Sequence, residues 1–345
     1  MSGGVDSSTA ACILKKQGLD VEGAFMYLCK NALRASDSPG RCCSLDDARD
    51  AKAVANALGV KLHFLDLTAE FENIINYFTA EYTRGRTPNP CAVCNRDVKF
   101  GALMEKAREL GCDTLATGHH ARIIVKNGRH FIARAEDKKK DQSYFLFALS
   151  EEQISKSVFP CGDMTKSEVR KIAAGAKLPV AEKRESMEVC FADVKSPGEF
   201  IAERAPESVK PGPFLDMDGK VVGEHRGIQY YTIGQRRGVR IAFGEPRYVV
   251  KIDAPKNAVV IGTEKDLETD VVRANGNLRF PDEPQTEFHA SAKIRYNSPA
   301  FPCTIRIPEP GIIEARFDSP VRAVTPGQAL VVYDGDLVLG GGWIE

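Results

Sequence analysis

Apolar positions in the first two hundred residues fall alternately into helical and strand spacing. Ala10, Ala11, Ile13 and Leu14 mark one face of a helix from Asp6 to Gln17, closed by Gly18. Val21 to Leu28 is a short apolar run that suits a buried strand. The alternation continues with a helix over Leu45–Leu58, which has Asp46, Asp47 and Asp50 near its start and Gly59 at its end. A strand over Val60–Leu67 and a helix over Glu70–Thr83 follow, then a long helix from Cys91 to Leu110 stopped by Gly111, then a strand over Asp113–Thr117. This order predicts an α/β fold, a parallel sheet with helices on both faces. Asn127-Gly128 between Arg122–Lys126 and His130–Ala133 predicts a hairpin. Thr165-Lys166-Ser167-Glu168 has capping-box spacing and opens a helix through Ala176. After about Ala205 the pattern changes. Pro211, Pro213, Asp218-Gly219, Pro255, Gly262 and Pro281 punctuate short β-like runs, so the last third reads as all-β, a small barrel.

A chain of 345 residues exceeds one core and implies two or three domains. Its 47 basic and 47 acidic residues cancel, which excludes a general polycation but not a local RNA-binding surface. No apolar run approaches the roughly 18 residues of a membrane span. Met1-Ser2-Gly3-Gly4-Val5-Asp6 does not resemble a secretory signal. The ten cysteines are therefore read in a reducing cytoplasm, where reactive or metal-binding roles outweigh structural disulfides.

Ser2-Gly3-Gly4-Val5-Asp6-Ser7-Ser8 opens the first helix. Two glycines let backbone approach a phosphate, and the helix N-terminus offers N–H groups and partial positive charge to it. Ser7 and Ser8 add hydroxyl donors, and Asp6 is a candidate Mg²⁺ ligand. A glycine-rich turn with Asp and Ser at a helix cap is the plainer reading. The whole string, however, resembles the pyrophosphate (PP) loop of ATP-cleaving ligases that release AMP. Such a loop should follow a buried strand, yet it begins here at residue 2, so either the start lies upstream or the sheet lacks its first strand.

Cys91-Ala92-Val93-Cys94 follows Asn89, a good N-cap, and Pro90, which suits the first helical position. Both thiols then lie i, i+3 on one face, where the helix dipole favours thiolate. Cys190 stands far away in Ser186-Met187-Glu188-Val189-Cys190-Phe191. Cys12, Cys29, Cys112, Cys161 and Cys303 read as small buried hydrophobes, and Cys42-Cys43 lean the same way.

The loop, Pro88-Asn89-Pro90-Cys91 with Cys94-Asn95, and the distant Cys190-Phe191 together resemble the tRNA-specific 2-thiouridylases, the MnmA family. The likeness extends through Arg86-Thr87, Lys99-Phe100, Thr117-Gly118-His119, Lys140-Asp141-Gln142-Ser143-Tyr144-Phe145-Leu146, Tyr231–Gly238, Arg295-Tyr296 and Val324-Thr325-Pro326-Gly327-Gln328. It implies a PP-loop catalytic domain of the adenine-nucleotide α-hydrolase type over 1–205, a small central domain over 206–264, and a C-terminal β-barrel over 265–345. It implies ATP at Ser2, Gly3, Gly4, Val5, Asp6, Ser7 and Ser8, with Met26 and Gly118 near the adenine. Cys94 would be the nucleophile and Cys190 the persulfide carrier. Asn89, Pro90 and Cys91 would face the target base, and His119, Lys140, Asp141, Gln142, Arg295, Tyr296 and Gln328 would contact tRNA. The implied activity is ATP-dependent 2-thiolation of the wobble uridine, U34, in tRNAs for Lys, Glu and Gln. The sulfur donor would be a cysteine desulfurase or a relay protein.

One departure bears on mechanism. Well-known members carry aspartate where this chain has Cys91. Three thiolates, Cys91, Cys94 and Cys190, can ligate three irons of a [4Fe–4S] cluster and leave the fourth open to bind sulfur. A third thiol has no role in a two-cysteine cycle, so the departure favours the cluster over the persulfide route. Between His225 and Arg240 four arginines and no acid are interleaved with Tyr230 and Tyr231, read as a phosphate-binding surface with stacking groups. Lys138-Lys139-Lys140 is a short charge run of the kind that is usually just solvated. The rival functions are another AMP-forming PP-loop synthetase or amidotransferase, and a non-enzymatic RNA-binding iron–sulfur protein.

Overall fold

The computed structural model describes residues 1–28, 44–183, 190–191, 196–239, 241 and 244–345. Cys29, Cys42, Cys43, the Ser186–Val189 stretch and Arg240 lie outside the described residues. The chain divides into two compact units. The first is Met1–Ile74, Cys91–Asp193 and Asp336–Val338; the second is Ile75–Pro90, Val194–Gly335 and Leu339–Glu345.

The first unit begins with helix α1 (Val5–Lys16), followed by β1 (Gly23–Tyr27), α2 (Leu45–Leu58) and β2 (Leu62–Asp66). Helix α3 (Thr68–Thr83) begins here and ends in the second unit. β1 and β2 pair in parallel, Gly23 with Leu62 through Tyr27 with Asp66. α2 is well specified. Ser44 and Asp47 form a reciprocal capping box, and Gly59 ends the helix at φ 63°, where a side chain would be strained. The predicted long helix is three segments, α4 (Pro90–Cys94), a π-helical stretch (Asn95–Ala102) and α5 (Leu103–Glu109). Next come β3 (Leu115–Ala116), the hairpin β4 (Ala121–Lys126) and β5 (Arg129–Arg134), α6 (Glu151–Ser155), β6 (Ser157–Val158) and α7 (Lys166–Gly175). Asn127 and Gly128 both adopt positive φ, as the tight hairpin requires. β3 and β6 form a second parallel pair. Val5 and Cys12 of α1 join Val54, Ala173, Leu178 and Val180 in a core that fixes the loop before α1.

The second unit opens its β structure after α8 (Pro197–Arg204). Strands β7 (Gly212–Leu215), β8 (Val221–His225), β9 (Tyr248–Asp253) and β10 (Ala258–Gly262) form a sheet of order β8-β7-β10-β9. Phe214, Ile228, Tyr231, Val249, Val259 and Ile261 fill its core. The last strands are β11 (Glu268–Leu278), β12 (Glu287–Lys293), β13 (Phe301–Arg306), β14 (Ile312–Arg322), β15 (Ala329–Asp334) and β16 (Leu337–Ile344). They run β11-β14-β13-β12-β15-β16, and β16 pairs back onto β11, so the sheet closes into a six-stranded barrel. No helix among the described residues is long and apolar enough to cross a membrane.

Candidate functional site

The Ser2–Ser8 loop is built for close backbone approach. Gly3 sits at φ 71°, and a Cβ there would stand 2.4 Å from the Asp47 carbonyl oxygen. Gly4 caps α1 without a side chain, at the end where the helix dipole is positive. The hydroxyls are already ordered. Ser8 Oγ donates to Gly4 O at 2.8 Å, while Ser7 Oγ accepts from Ser2 N at 3.1 Å. Val5 and Ser8 are buried, so they support the loop from within, whereas Ser2, Gly4, Asp6 and Ser7 reach its surface. Gly118 closes the loop from the other side. A Cβ on it would lie 2.5 Å from both Asp6 C and Ser7 N. Met26 is half-buried near the carboxyl end of β1, the end at which open α/β sheets take ligands.

Asp6 does not present a free carboxylate. Lys166 Nζ binds both its oxygens, at 2.6 and 2.7 Å, and His120 Nε2 lies 3.3 Å from Oδ1. Burial alone would raise the Asp6 pKa, but the hydrogen bonds and charges of His120 and Lys166 outweigh it and hold the carboxyl below its ordinary 3.8. The expected Mg²⁺ ligand is thus already neutralised by an ammonium, and we route no step through a metal there. This pairing contributes stability above pH 3.8 that is lost as pH falls through the lowered folded value. Asp6→Asn is expected to melt below wild type at pH 7, because the charged pairing of Asp6 with Lys166 is lost, and the gap should close below about pH 3.8. Melting curves from pH 3 to 7 check this; a gap that does not change with pH would refute it.

His119 Nδ1 lies 2.8 Å from Thr117 Oγ1, and its ring packs near Phe100 and Phe159. Burial first, then the Lys99 charge, pushes its pKa well below 6.5, so it is neutral at pH 7. Among the other residues that the resemblance assigns to tRNA, Asp141 is turned inward. Its carboxylate accepts from Ala135 N, Ser143 N and Ser143 Oγ at 2.9–3.1 Å. Gln142 Oε1 accepts from His120 N at 2.9 Å. Lys140 is half-exposed.

Cys91 is half-exposed and Cys94 is buried on α4, and Cys190 is half-exposed in the same unit. Immediately after Cys94 the backbone widens, and Leu103 N–H reaches back five residues to Val98 O. Such π-helical turns concentrate at functional sites. Gln153 holds this one, donating to Arg96 O at 2.8 Å and Phe100 O at 2.9 Å. Asn95 Nδ2 donates to Phe145 O, while its buried Oδ1 has no hydrogen-bond partner among the described residues. No three His, Cys, Asp or Glu side chains among the described residues group to hold a metal ion. Cys91, Cys94 and Cys190, the expected ligand set, do not form such a group among the described residues. The inert cysteines are clearer. Cys161 and Cys303 are buried with thiols pushed up to about 12 by burial, and Cys161 Sγ donates to Asp6 O at 3.5 Å. Cys112 departs from the expectation of a buried hydrophobe, being half-exposed.

In the second unit Arg295 Nη2 donates to Ile233 O at 2.9 Å, to Ala323 O at 2.7 Å and to Thr325 Oγ1, so its guanidinium ties the fold together. Tyr296 lies under Lys293, whose Nζ is 5.5 Å from the ring centroid. Gln328 Nε2 donates to Thr87 O and Pro88 O, and Asn89 and Pro90 are buried. After β8 the arginine-rich stretch forms a short 3₁₀ turn over Ile228–Tyr230. Tyr231 is core rather than a stacking group, and Arg226 lies 3.6 Å over the Tyr230 ring. Arg236 and Arg237 are exposed. His225 is buried; its Nδ1 accepts from Gly227 N–H, so Nε2 carries the proton and donates to Asn257 O.

Sequence reasoning missed Lys166, Lys183 and Gln153. Lys183 binds Asp47 at 2.7 Å and Asp50 at 2.5 Å, and Asp47 is the residue whose carbonyl abuts Gly3. The acids at the start of α2 carried the one available signal.

The sequence pattern of the tRNA methyl transferase HUP domain matches residues 1–194, that of the tRNA methyl transferase PRC-barrel domain 198–263, and that of the aminomethyltransferase β-barrel domain 274–344. The tRNA-specific 2-thiouridylase MnmA of Clostridium acetobutylicum is 45% identical over 100% of this chain and 98% of its own. The protein of the same name from Moorella thermoacetica is 47% identical with the same coverage, and that from Clostridium perfringens 43% over 100% and 97%. Among solved structures, the NMN synthetase of Francisella tularensis is 15% identical with a TM-score of 0.32 over 53% of this chain and 63% of that one, a likeness too slight to bear on the fold.

Proposed function

We propose how the reaction runs in this chain, which belongs to the tRNA-specific 2-thiouridylase family and is an ATP-using tRNA-uridine 2-sulfurtransferase. The target is C2 of the wobble uridine, whose carbonyl oxygen is a poor leaving group. The uridine is flipped from the anticodon stack so that its O2 can attack the α-phosphate of ATP. The Ser2–Ser8 backbone and the α1 N-terminus hold the departing pyrophosphate. O2 is then part of a bound AMP, a good leaving group.

Sulfur arrives on Cys190 as a persulfide from a cysteine desulfurase or a relay protein. The Cys94 thiolate attacks the Cys190 sulfur, and hydrosulfide leaves as the Cys94–Cys190 disulfide forms. Hydrosulfide adds to C2, and AMP departs with the former O2. An external dithiol resets the disulfide. The observation that carries this reading is the co-location in one compact unit of the glycine loop, closed by Gly118, with Cys94 and Cys190. The matched domain descriptions name a methyl transferase, but methyl transfer needs neither a pyrophosphate loop nor two thiols, so the residues favour thiolation. The iron–sulfur alternative lacks a gathered ligand set among the described residues, and we assign it no step.

The substrates are tRNAs with Lys, Glu and Gln type anticodons, and the site of action is the cytoplasm. ATP–pyrophosphate exchange should depend on tRNA bearing U34, and nucleoside mass spectrometry should show 2-thiouridine. Exchange supported by a small amide or acid without tRNA would favour a synthetase instead. Arg236 and Arg237 would meet backbone phosphates. Replacing both with Ala should flatten the salt dependence of tRNA binding by about one unit of slope per lost contact. An unchanged slope would place both side chains away from RNA.

A further inference from the structure

Tyr231 and Val239 are buried in one core of the second unit, and residues 232–238 leave that core between them as a turn. One side chain closes it. Gln235 Oε1 accepts from Thr232 N at 3.0 Å, and Gln235 Nε2 donates to Arg237 O at 2.8 Å. The Gln235 backbone is engaged in the same place. Its N–H donates to Thr232 O at 3.0 Å, and its carbonyl accepts from Val249 N at 2.9 Å. Gly234 N donates to Val249 O at 2.8 Å, so the turn is stitched to both backbone polar groups of one buried residue of β9. Gly234 takes φ 87°, and a Cβ there would stand 2.8 Å from Ala323 Cβ, so this close packing requires glycine. Arg295 Nη2 donates to Ile233 O within the turn. Arg236 and Arg237 are held only by this backbone. Both are exposed, and among the described residues no carboxylate pairs with either guanidinium.

We infer that Gln235 is a positioning residue for RNA binding: it fixes the backbone from which Arg236 and Arg237 project, so that the two guanidiniums are presented together to backbone phosphates. The inference rests on the reading, given above, that these arginines meet tRNA phosphates. A loop ordered in advance binds more tightly than a loose one of the same charge, because less freedom is lost on binding. Arg295, which the resemblance gives to tRNA, lies against the same turn, so the turn continues that assigned contact. Charge and order can be told apart. The salt dependence of binding counts the phosphates neutralised, whereas order enters the affinity without changing that count. Loss of an arginine therefore flattens the slope. Loss of Gln235 leaves both charges, and hence the slope, but weakens binding.

The test measures Kd for an unmodified tRNA with a Lys-type anticodon over a series of salt concentrations. Gln235→Met keeps length and bulk but removes both side-chain hydrogen bonds, and Gln235→Ala removes the bulk as well. Each is expected to weaken binding about five- to tenfold with the salt slope of wild type. Each is then combined with Arg236→Ala and Arg237→Ala. In that background the loss of Gln235 should change Kd less than about twofold, because the groups it positions are gone. A fivefold loss that persists without the arginines would make Gln235 a support of the fold at large and overturn the proposal. Wild-type affinity in Gln235→Met and Gln235→Ala, beside weak binding and a flattened slope in the double arginine variant, would overturn it while leaving the phosphate reading intact. Wild-type affinity and slope in the double arginine variant would defeat the phosphate reading itself, and the proposal with it.

Discussion

Gly118→Ala is expected to abolish ATP–pyrophosphate exchange and to lower stability by on the order of 1–3 kcal/mol. The reason is steric and lies in backbone. The added methyl would stand 2.5 Å from Asp6 C and Ser7 N and 2.8 Å from Asp6 Cβ. A side chain can rotate away from such a clash, but the first turn of α1 cannot. Either Thr117-Gly118-His119 retreats or the loop is pushed off, and both remove the surface on which pyrophosphate would sit. Gly175→Ala is the control, since a Cβ there meets nothing within 4 Å. Exchange kinetics and melting temperature read out both variants. Full exchange by Gly118→Ala would mean that the loop and the residue-118 backbone do not form one site.

Cys94→Ala and Cys190→Ala should each reduce 2-thiouridine formation by about three orders of magnitude while leaving ATP–pyrophosphate exchange intact. Adenylation of O2 uses the loop and no thiol; sulfur delivery uses both thiols. Separate assays of the two half-reactions therefore divide the mechanism between its parts. Cys112→Ala should behave as wild type. Cys91→Ser decides the role of the extra thiol: full thiolation by that variant, purified without iron, leaves the two-cysteine cycle standing. Loss of both thiolation and acid-labile sulfide would instead restore the three-thiol cluster. If Cys94→Ala also lost exchange, its role would be structural, through the buried start of the π-helical stretch.

What could be read from the sequence was what is local. The α2 helix spans the expected Leu45–Leu58 and ends at Gly59, and Asn127-Gly128 makes the expected hairpin. The loop and Cys91/Cys94 were visible because each sits within a few residues of its own helix start. Lys166 was visible only as part of a cap, since its partner Asp6 is 160 residues away. The same holds for Lys183, which is 136 residues from Asp47. Apolar spacing at 3.6 cannot reveal a π-helical turn, because the bond pattern depends on Gln153 from another element occupying the Arg96 and Phe100 carbonyls. Tyr231 misleads for a related reason. An aromatic in a basic stretch suggests stacking on RNA, but this one fills a core that only the folded chain assembles. Three capping boxes, at Ser44, Ser150 and Ser196, were present in the sequence and overlooked.

The matched domains succeed one another along the chain, but its compact units do not. Ile75–Pro90 belongs with the late β structure although it lies between two stretches of the first unit, and Asp336–Val338 belongs with the first although it lies within the barrel's last turn and strand. A single recombination breakpoint near residue 265 would thus make a poor chimera. A foreign barrel would lack Asp336, which binds Arg122 and Lys138 at 2.8 Å, and the carbonyl and amide groups that hold Arg86, Thr87 and Pro88.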